Sequence, residues 1–175
     1  HPDVATSLNN LGLLLKGQGN YDNAMLFFET SLQIYEKALG PEHPDVANSK
    51  NNLALLLYAQ GKYDDAVQLC DASLRIYEKA LGPDHLSVAM SLKNLAELFR
   101  VQGKYDEAKP LCERSLTIYE KALGPDHLDV ATSLINLAGV SGAQGRYDEA
   151  LKYSKRAVGI LEMRLGTEHP HTKVV

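Results

Sequence analysis

Residues 63–85 read YDDAVQLCDASLRIYEKALGPDH, and residues 105–127 repeat them as YDEAKPLCERSLTIYEKALGPDH. An earlier copy runs from Tyr21 to His43, and a more divergent copy runs from Tyr147 to His169. Each copy begins 42 residues after the previous one. A fixed period in this range is typical of solenoid proteins. The sequence therefore predicts an array built from one repeated unit.

The repeats divide the chain into residues 1–42, 43–84, 85–126 and 127–168, with a fifth repeat beginning at residue 169. We expect residues 1–175 to form one solenoid domain. The chain starts inside a repeat and without a methionine, so we expect it to be a fragment of a longer protein. Below, a repeat position is a residue's number within its own repeat.

Each repeat is predicted to contain two antiparallel helices, here called helix A and helix B. In the first repeat, apolar or small residues recur at the spacing of an amphipathic helix A: Val4, Ala5, Leu8, Leu11, Gly12 and Leu15. Gly19 lies in the turn that ends helix A, and Asp22 is a candidate cap for helix B. Gly40 and Pro41 are a typical stop signal for helix B. In the third repeat, Pro110 falls near the start of helix B, where a lost N–H group costs little. The predicted fold class is all-α.

Composition restricts the function classes. The chain has 175 residues, of which 45% are hydrophobic and 23% charged, and its formal net charge is −4. A nucleic-acid partner is not expected, because it would require a basic face. No run of about 18 apolar residues is present, so no membrane span is expected. A leader peptide is not expected either. We therefore expect a cytoplasmic protein.

The cysteines and histidines do not indicate a cofactor. Cys70 and Cys112 occupy the same position in successive repeats, and packed helices are about 8–10 Å apart, too far for a disulfide. Two buried thiols in a reducing compartment are expected. One histidine per repeat begins helix A, and such residues are too widely spaced to share a metal ion: His1, His43, His85, His127 and His169. No nucleophile–base pair or phosphate-binding loop is found, so we expect neither a cofactor nor an enzyme.

The repeat resembles a known family. Asn-Leu-Gly or Asn-Leu-Ala in helix A, Gln-Gly-Lys-Tyr-Asp-Glu-Ala at the turn and a small residue seven positions further on resemble the tetratricopeptide repeat. The 42-residue period and the Leu-Gly-Pro-Asp-His connector resemble the repeats of kinesin light chain. This resemblance implies a right-handed superhelix in which helices A line a concave groove for a partner's extended peptide. The positions implied to face the groove are Thr6, Asn9, Asn10, Leu13, Lys16, Asn48, Asn51, Asn52, Leu55, Tyr58, Met90, Lys93, Asn94, Glu97, Arg100, Thr132, Ile135 and Asn136.

Asparagine recurs at position 10 of every repeat, as Asn10, Asn52, Asn94 and Asn136. An amide side chain both donates and accepts hydrogen bonds, so such a ladder suits a peptide backbone of any sequence. The alternative is that these amides fix the geometry between neighbouring helices. Both interpretations remain open at this point.

Two further groups of groove residues differ in chemistry. Lys93, Glu97 and Arg100 share one helical face, either as a solvated ion-pair row or, with Lys16, as a site for acidic groups of a peptide. The apolar group has the chemistry to anchor a hydrophobic or aromatic side chain, or to pack on the next helix: Leu13, Leu55, Tyr58 and Met90.

We therefore predict a non-enzymatic scaffold that binds an extended, acidic or aromatic-containing peptide. The alternative is a structural or regulatory array that self-associates or packs on other domains of a larger signalling or sensor protein. Terminal repeats need polar caps. The region of Val158, Ile160 and Leu161 is expected to be poorly covered, so that this end meets another copy or a further repeat.

Overall fold

A computed structural model of the protein describes residues 1–166, which form eight α-helices and no strand. Sixteen-residue and nineteen-residue helices alternate along the chain. They are α1 (Pro2–Gly17), α2 (Tyr21–Leu39), α3 (Pro44–Ala59), α4 (Tyr63–Leu81), α5 (Leu86–Val101), α6 (Tyr105–Leu123), α7 (Leu128–Ala143) and α8 (Tyr147–Leu165). Equivalent helices begin 42 residues apart, which confirms the predicted all-α helix pairs. The expected fifth repeat lies outside the described residues.

The chain forms two compact units, each containing two repeats. The N-terminal unit is His1–Pro83 and the C-terminal unit is Asp84–Val175. In the N-terminal unit, α1 packs on α2, α2 on α3, and α3 on α4. The same succession of contacts joins α5, α6, α7 and α8. Within each unit, the first helix B, α2 or α6, is therefore shared between its own repeat and the next one.

Histidine caps the start of every helix A among residues 1–166. The Asp45 N–H donates to Nδ1 of His43 at 3.2 Å, which satisfies a backbone group that a helix start leaves free. The same bond is made at 3.4, 3.1 and 3.2 Å by His1, His85 and His127. Nδ1 of His43 also lies 3.5 Å from the Asp45 carboxylate. In the third repeat Ser87 replaces the aspartate, and His85 still accepts the N–H bond, so capping is the property that the repeats share.

The turn between helices A and B differs from the prediction at one residue. Helix α2 starts at Tyr21, its N-cap position is Asn20, and no side chain caps it. The expectation that Asp22 caps this helix is therefore wrong. Asp22 is the second residue of α2, where its negative charge is favoured by the helix dipole.

Glycine ends each helix B, as predicted. Gly82 follows α4 with φ 90° and ψ 158°, a conformation that only glycine adopts without strain. In contrast, the expectation that the missing N–H group of Pro110 costs little is wrong. It is the sixth residue of α6, beyond the four N–H groups that a helix leaves free. The hydrogen bond that another residue would give to the Asp106 carbonyl is therefore missing.

Helices A and B of one repeat approach closely. Ala24 and Ala66 of α2 and α4 are completely buried, and their small size allows the two helices to come close. In addition, the buried Ser31 hydroxyl donates to the Ala5 carbonyl oxygen at 2.7 Å. The next two repeats make the same bond at 2.8 Å, from Ser73 to Ala47 and from Ser115 to Ala89.

The last described helix, α8, is covered differently from the prediction. Ile160 and Leu161 are only 3% and 5% exposed, so the expectation that they are poorly covered is wrong. They lie on the side of α8 that faces its own repeat. The large apolar side chains that α8 exposes are instead Tyr147, Leu151 and Met163.

Cys70 and Cys112 are free and buried, as predicted. Burial raises the pKa of each thiol to about 12. Burial, together with a nearby aspartate, also raises the pKa of Tyr77 and Tyr119 to about 12. These four groups are therefore held in their neutral forms by the folded core.

The residues at positions 12 and 28 are matched in size. A Cβ atom added to Gly12 would lie 2.6 Å from Cε1 of Phe28, well inside van der Waals contact. The second repeat has Ala54 and Cys70 at these two positions, so a larger residue on helix A accompanies a smaller one on helix B.

We predict that Gly12→Ala lowers the free energy of unfolding by about 1–3 kcal/mol, because it overpacks the core against Phe28. In a Phe28→Cys background the same substitution should be neutral or stabilising, because it restores the pairing of the second repeat. Urea denaturation of the four proteins in this double-mutant cycle measures the coupling. Gly139→Ala is the control, since its Cβ meets nothing within 4 Å, and it should stabilise α7. Equal effects of Gly12→Ala in both backgrounds would contradict the clash.

We also predict that stability falls at alkaline pH. In the unfolded chain, thiols and phenols ionise near about pH 8.5 and about pH 10. The folded state retains these protons up to about pH 12, so their stabilisation is intact below about pH 9 and is lost as the pH rises. Melting temperatures measured at several pH values between about pH 7 and about pH 11 test this prediction. The Cys70→Ser/Cys112→Ser variant should show a shallower decline, and identical slopes would contradict a role of the thiols.

Candidate functional site

The predicted asparagines of the N-terminal unit bond to one another across two helices. The Asn52 amide donates to the side-chain oxygen of Asn9 at 3.1 Å and to that of Asn48 at 3.2 Å. Asn9 and Asn52 are half-buried, whereas Asn10 and Asn48 are exposed. Asn52 therefore joins α1 to α3.

Asn51 is placed differently from the prediction. Its side chain is only 2% exposed, and its amide oxygen accepts a hydrogen bond from Sγ of Cys70 at 3.6 Å. A residue buried against α4 cannot contact a ligand in this conformation. The assignment of Asn51 to the groove is therefore corrected to a core position.

The remaining predicted residues of the N-terminal unit give a mixed surface. Leu13 is 41% exposed, whereas Leu55 and Tyr58 are half-buried. The Tyr58 ring packs at a tilt on the Tyr63 ring, with 5.7 Å between centroids. Lys16 is half-buried, and this burial lowers the pKa of its ammonium group.

In the C-terminal unit, positions 6 and 9 of α5 line an open cleft of about 380 Å³. Met90 and Lys93 occupy these positions. The other walls come from the start of α5, the end of α6 and the start of α7: Leu86, Ser87, Tyr119, Leu123, His127 and Asp129. The cleft thus combines an apolar wall with charged groups of both signs.

Positions 6 and 9 of α7 line a second, smaller cleft of about 190 Å³. These residues are Thr132 and Ile135, and the remaining walls are the apolar side chains Leu128, Leu161 and Leu165. Both clefts include residues of the first turn of α7. They therefore lie next to each other along the C-terminal unit.

The charged row of α5 divides into a paired and an unpaired part. Arg100 donates to the two carboxylate oxygens of Glu97 at 2.7 Å each, so these residues form the ion pair that was one of the two interpretations. Among residues 1–166, Lys93 has no ion-pair partner. Asn94 and Asn136 are half-buried. Lys93 is therefore the available cation of the predicted set in this unit.

A polar cluster that the sequence analysis missed joins α6, α7 and α8. The Lys109 ammonium group lies 2.8 Å from both carboxylate oxygens of Glu149 and is only 14% exposed. Ser141 donates to Glu149 at 3.0 Å, and the Tyr153 hydroxyl donates to it at 3.5 Å. The hydrogen bond from Lys109 holds the pKa of the Glu149 carboxyl below its ordinary value.

The sequence did contain a signal for this cluster. At positions 15, 25 and 27 the first two repeats carry only apolar residues, whereas the last two introduce Lys109, Ser141 and Tyr153. The walls that helix B contributes to the clefts had no such signal. Tyr119, Leu123, Leu161 and Leu165 follow the same apolar pattern as the core.

Neither a metal centre nor a membrane span is found in the part of the chain that the structure describes. No group of three or more histidine, cysteine or acidic residues among residues 1–166 could hold an ion. None of the eight helices is long and apolar enough to cross a bilayer.

The sequence model of the tetratricopeptide repeat matches residues 3–68, 45–108 and 89–163. The chain belongs to the tetratricopeptide repeat family. Such repeats form protein-interaction scaffolds. A comparison with curated protein sequences gave no match.

Solved structures place these tetratricopeptide repeats with the kinesin light chain-like type. A putative kinesin light chain of Podospora anserina with nearly identical repeats is 30% identical, with a TM-score of 0.84 over 98% of this chain and 82% of that one. BtubC (BKLC) of P. vanneervenii is 27% identical, with a TM-score of 0.86 over 97% and 68% of the two chains. The apo form of RapI is 20% identical, with a TM-score of 0.83 over 93% and 57%, and shares the fold.

We predict that Lys109→Met lowers the free energy of unfolding by about 1 kcal/mol near neutral pH, because Glu149 loses its principal partner in a partly buried site. The cost should shrink at acidic pH, below the lowered pKa of Glu149, where its carboxyl becomes protonated and no longer needs a cation. Guanidinium denaturation at both pH values measures this.

The matched control is Lys79→Met. It breaks the pair between Lys79 and Glu42, whose side chains are 73% and 58% exposed, and should have a much smaller effect. If the two substitutions cost the same at neutral pH, the cluster contributes no more than an ordinary surface ion pair.

Proposed function

We propose that this tetratricopeptide repeat chain is a non-enzymatic scaffold that binds an extended segment of a partner protein along the two clefts of the C-terminal unit. The observation that carries the proposal is the adjacency of these clefts. Both open beside positions 6 and 9 of helix A, and both share the first turn of α7. An extended peptide can therefore place successive side chains in both.

Variation between the repeats supports this assignment. Position 4 of helix A is valine in all four repeats, as packing requires. Position 9 instead differs between the two helices A that line the clefts, being Lys93 in α5 and Ile135 in α7. A purely structural array has no need for such a change at the wall of a cleft. Different residues at equivalent places give each cleft its own preference for a side chain.

The chemistry of the clefts suggests the kind of segment. Lys93, which has no ion-pair partner among residues 1–166, favours a carboxylate of the peptide. The smaller cleft, walled by Ile135, Leu161 and Leu165, favours an apolar or aromatic side chain that is removed from water on binding. We therefore propose a ligand with an acidic residue next to a large apolar one.

A peptide-display selection against the chain tests this proposal, followed by fluorescence anisotropy on the selected peptides. Lys93→Glu and Ile135→Glu should each weaken binding at least tenfold, or about 1.4 kcal/mol. Added salt should weaken binding to the parent, because the Lys93 contact is electrostatic.

Lys152→Glu serves as the control, because Lys152 is exposed on α8 and lines neither cleft. It should bind the peptides as the parent does. A selection without enrichment would overturn the proposal. Peptides that bind both cleft variants with the affinity of the parent would also do so, because they would place the binding surface elsewhere.

A further inference from the structure

The third repeat differs from the others at two positions that line the larger cleft of the C-terminal unit. At position 3, α5 has Ser87, whereas the other three repeats have aspartate. At position 9, α5 has Lys93, whereas the equivalent residue of the neighbouring cleft is Ile135. Both Ser87 and Lys93 line the larger cleft. This wall therefore gains a positive charge and lacks a negative one.

A third polar residue of the larger cleft, His127, has its hydrogen-bonding pattern fixed by the cap of α7. The Asp129 N–H donates to Nδ1 of His127 at 3.2 Å. Since a backbone N–H can only donate, the proton of the neutral imidazole is on Nε2. In the protonated imidazole, Nδ1 instead faces the Asp129 carboxylate oxygen at 3.3 Å, and Nε2 keeps its proton. Nε2 is therefore a hydrogen-bond donor in both forms.

Neither this donor nor the Lys93 ammonium group has an acceptor among residues 1–166. The hydrogen bond and the ion pair of His127 both involve Nδ1, and Lys93 has no ion-pair partner. The His127 side chain is 41% exposed. Nδ1 and Nε2 lie on different edges of the ring, so Asp129 occupies one edge and leaves the Nε2 edge to the cleft. The cleft thus offers two donors to one ligand.

We propose that the larger cleft is a carboxylate site, in which Nζ of Lys93 and Nε2 of His127 each donate to one oxygen of a carboxylate of the partner peptide. A carboxylate has two acceptor oxygens, and hydrogen bonds to charged groups are roughly twice as strong as neutral ones. Ser87 is a specificity determinant, because an aspartate at its position would repel the ligand. This inference rests on the proposed function and names the chemistry of its acidic subsite.

The apolar walls of the cleft strengthen this site. Leu86, Met90 and Leu123 line it together with the two donors. Apolar side chains lower the local dielectric constant, so an ion pair formed there attracts more strongly than one in bulk water. Among the wall residues that the structure describes, the carboxylate is that of Asp129, which is held at the Nδ1 edge of His127 and lies beyond ion-pair distance of Lys93. It therefore does not occupy the position between Lys93 and Nε2.

Three substitutions separate a ligand contact from a structural effect. His127→Asn keeps the cap, because asparagine is a strong N-cap residue, but its short side chain removes the Nε2 donor. His43→Asn is the matched control, since His43 caps α3 in the same way next to Asp45 and does not line this cleft. Ser87→Asp introduces the residue that the other repeats have at this position. All three variants should keep the helical circular dichroism of the parent.

Nuclear magnetic resonance titrations with small carboxylates test the proposal without a selected peptide. N-acetylglutamic acid α-amide carries a side-chain carboxylate, N-acetylglutamine carries a chain-end carboxylate, and N-acetylglutamine amide is the neutral control. At least one charged probe should shift the ring signals of His127 and the backbone amide signal of Lys93 at millimolar concentrations, and the neutral probe should not. The charged probe that binds more tightly identifies the source of the carboxylate.

The variants should change the affinity for that probe in a defined pattern. His127→Asn and Ser87→Asp should each weaken binding at least about fivefold, or about 1 kcal/mol, whereas His43→Asn should bind the probe as the parent does. Ser87→Asp should do so without a loss of thermal stability, because the helix dipole favours an acidic residue in the first turn. A merely structural effect would lower stability and binding together.

The proposal is overturned if neither charged probe shifts these signals, if the neutral probe shifts them equally, or if His127→Asn binds the probe with the affinity of the parent. Its failure is distinguishable from failure of the proposed function. Selected peptides that depend on Ile135 but not on His127 would leave peptide binding in place and remove the carboxylate site. Carboxylate binding without any enriched peptide would do the reverse.

Discussion

The close approach of helix A to helix B within a repeat is the constraint on which the rest of this structure depends. In three repeats a buried serine on helix B donates to a backbone carbonyl of helix A at 2.7–2.8 Å, and a fully buried alanine at position 24 allows the distance. In the fourth repeat, Ala157 takes the place of the serine and is also completely buried. Small size is therefore the common requirement, and the hydrogen bond adds a fixed register.

A fixed helix pair explains why the repeats differ where they do. Between A and B, Gly12 faces the large Phe28 in the first repeat, whereas Ala54 accompanies the smaller Cys70 in the second, because a close-packed interior leaves no room for a larger residue on both helices. Residues at the cleft walls are free of this condition, so Lys93 and Ile135 can occupy equivalent places. The Lys109–Glu149 cluster is an intermediate case, in which a polar group enters a packing position and brings its own partners.

The sequence was sufficient to predict the helices but not to predict which residues form the surface. Repetition and the glycine stops such as Gly82 predicted the elements, because backbone conformation depends on local residue types. The assignment of Asp22 as the N-cap of α2 was wrong, because the helix begins at Tyr21 and its N-cap is Asn20. Periodicity cannot resolve a shift of two residues in the start of a helix. The assignment of Asn51 to the groove was wrong because its repeat position was expected to face outward. In the structure the Cys70 thiol donates a hydrogen bond to it in the core.

The candidate site contains residues that the pattern of helix A alone could not predict. Sequence analysis assigned the binding surface to helices A alone, and positions 6 and 9 of α5 and α7 do line clefts. Part of the wall of each cleft, however, is built by helix B residues such as Tyr119 and Leu161, which share the apolar pattern of the core. The same residue types also occur on α1 and α8, where Leu11 and Leu151 are exposed. Apolar periodicity therefore identifies what a helix can bury, and only the packing of neighbouring helices decides which of these residues are buried.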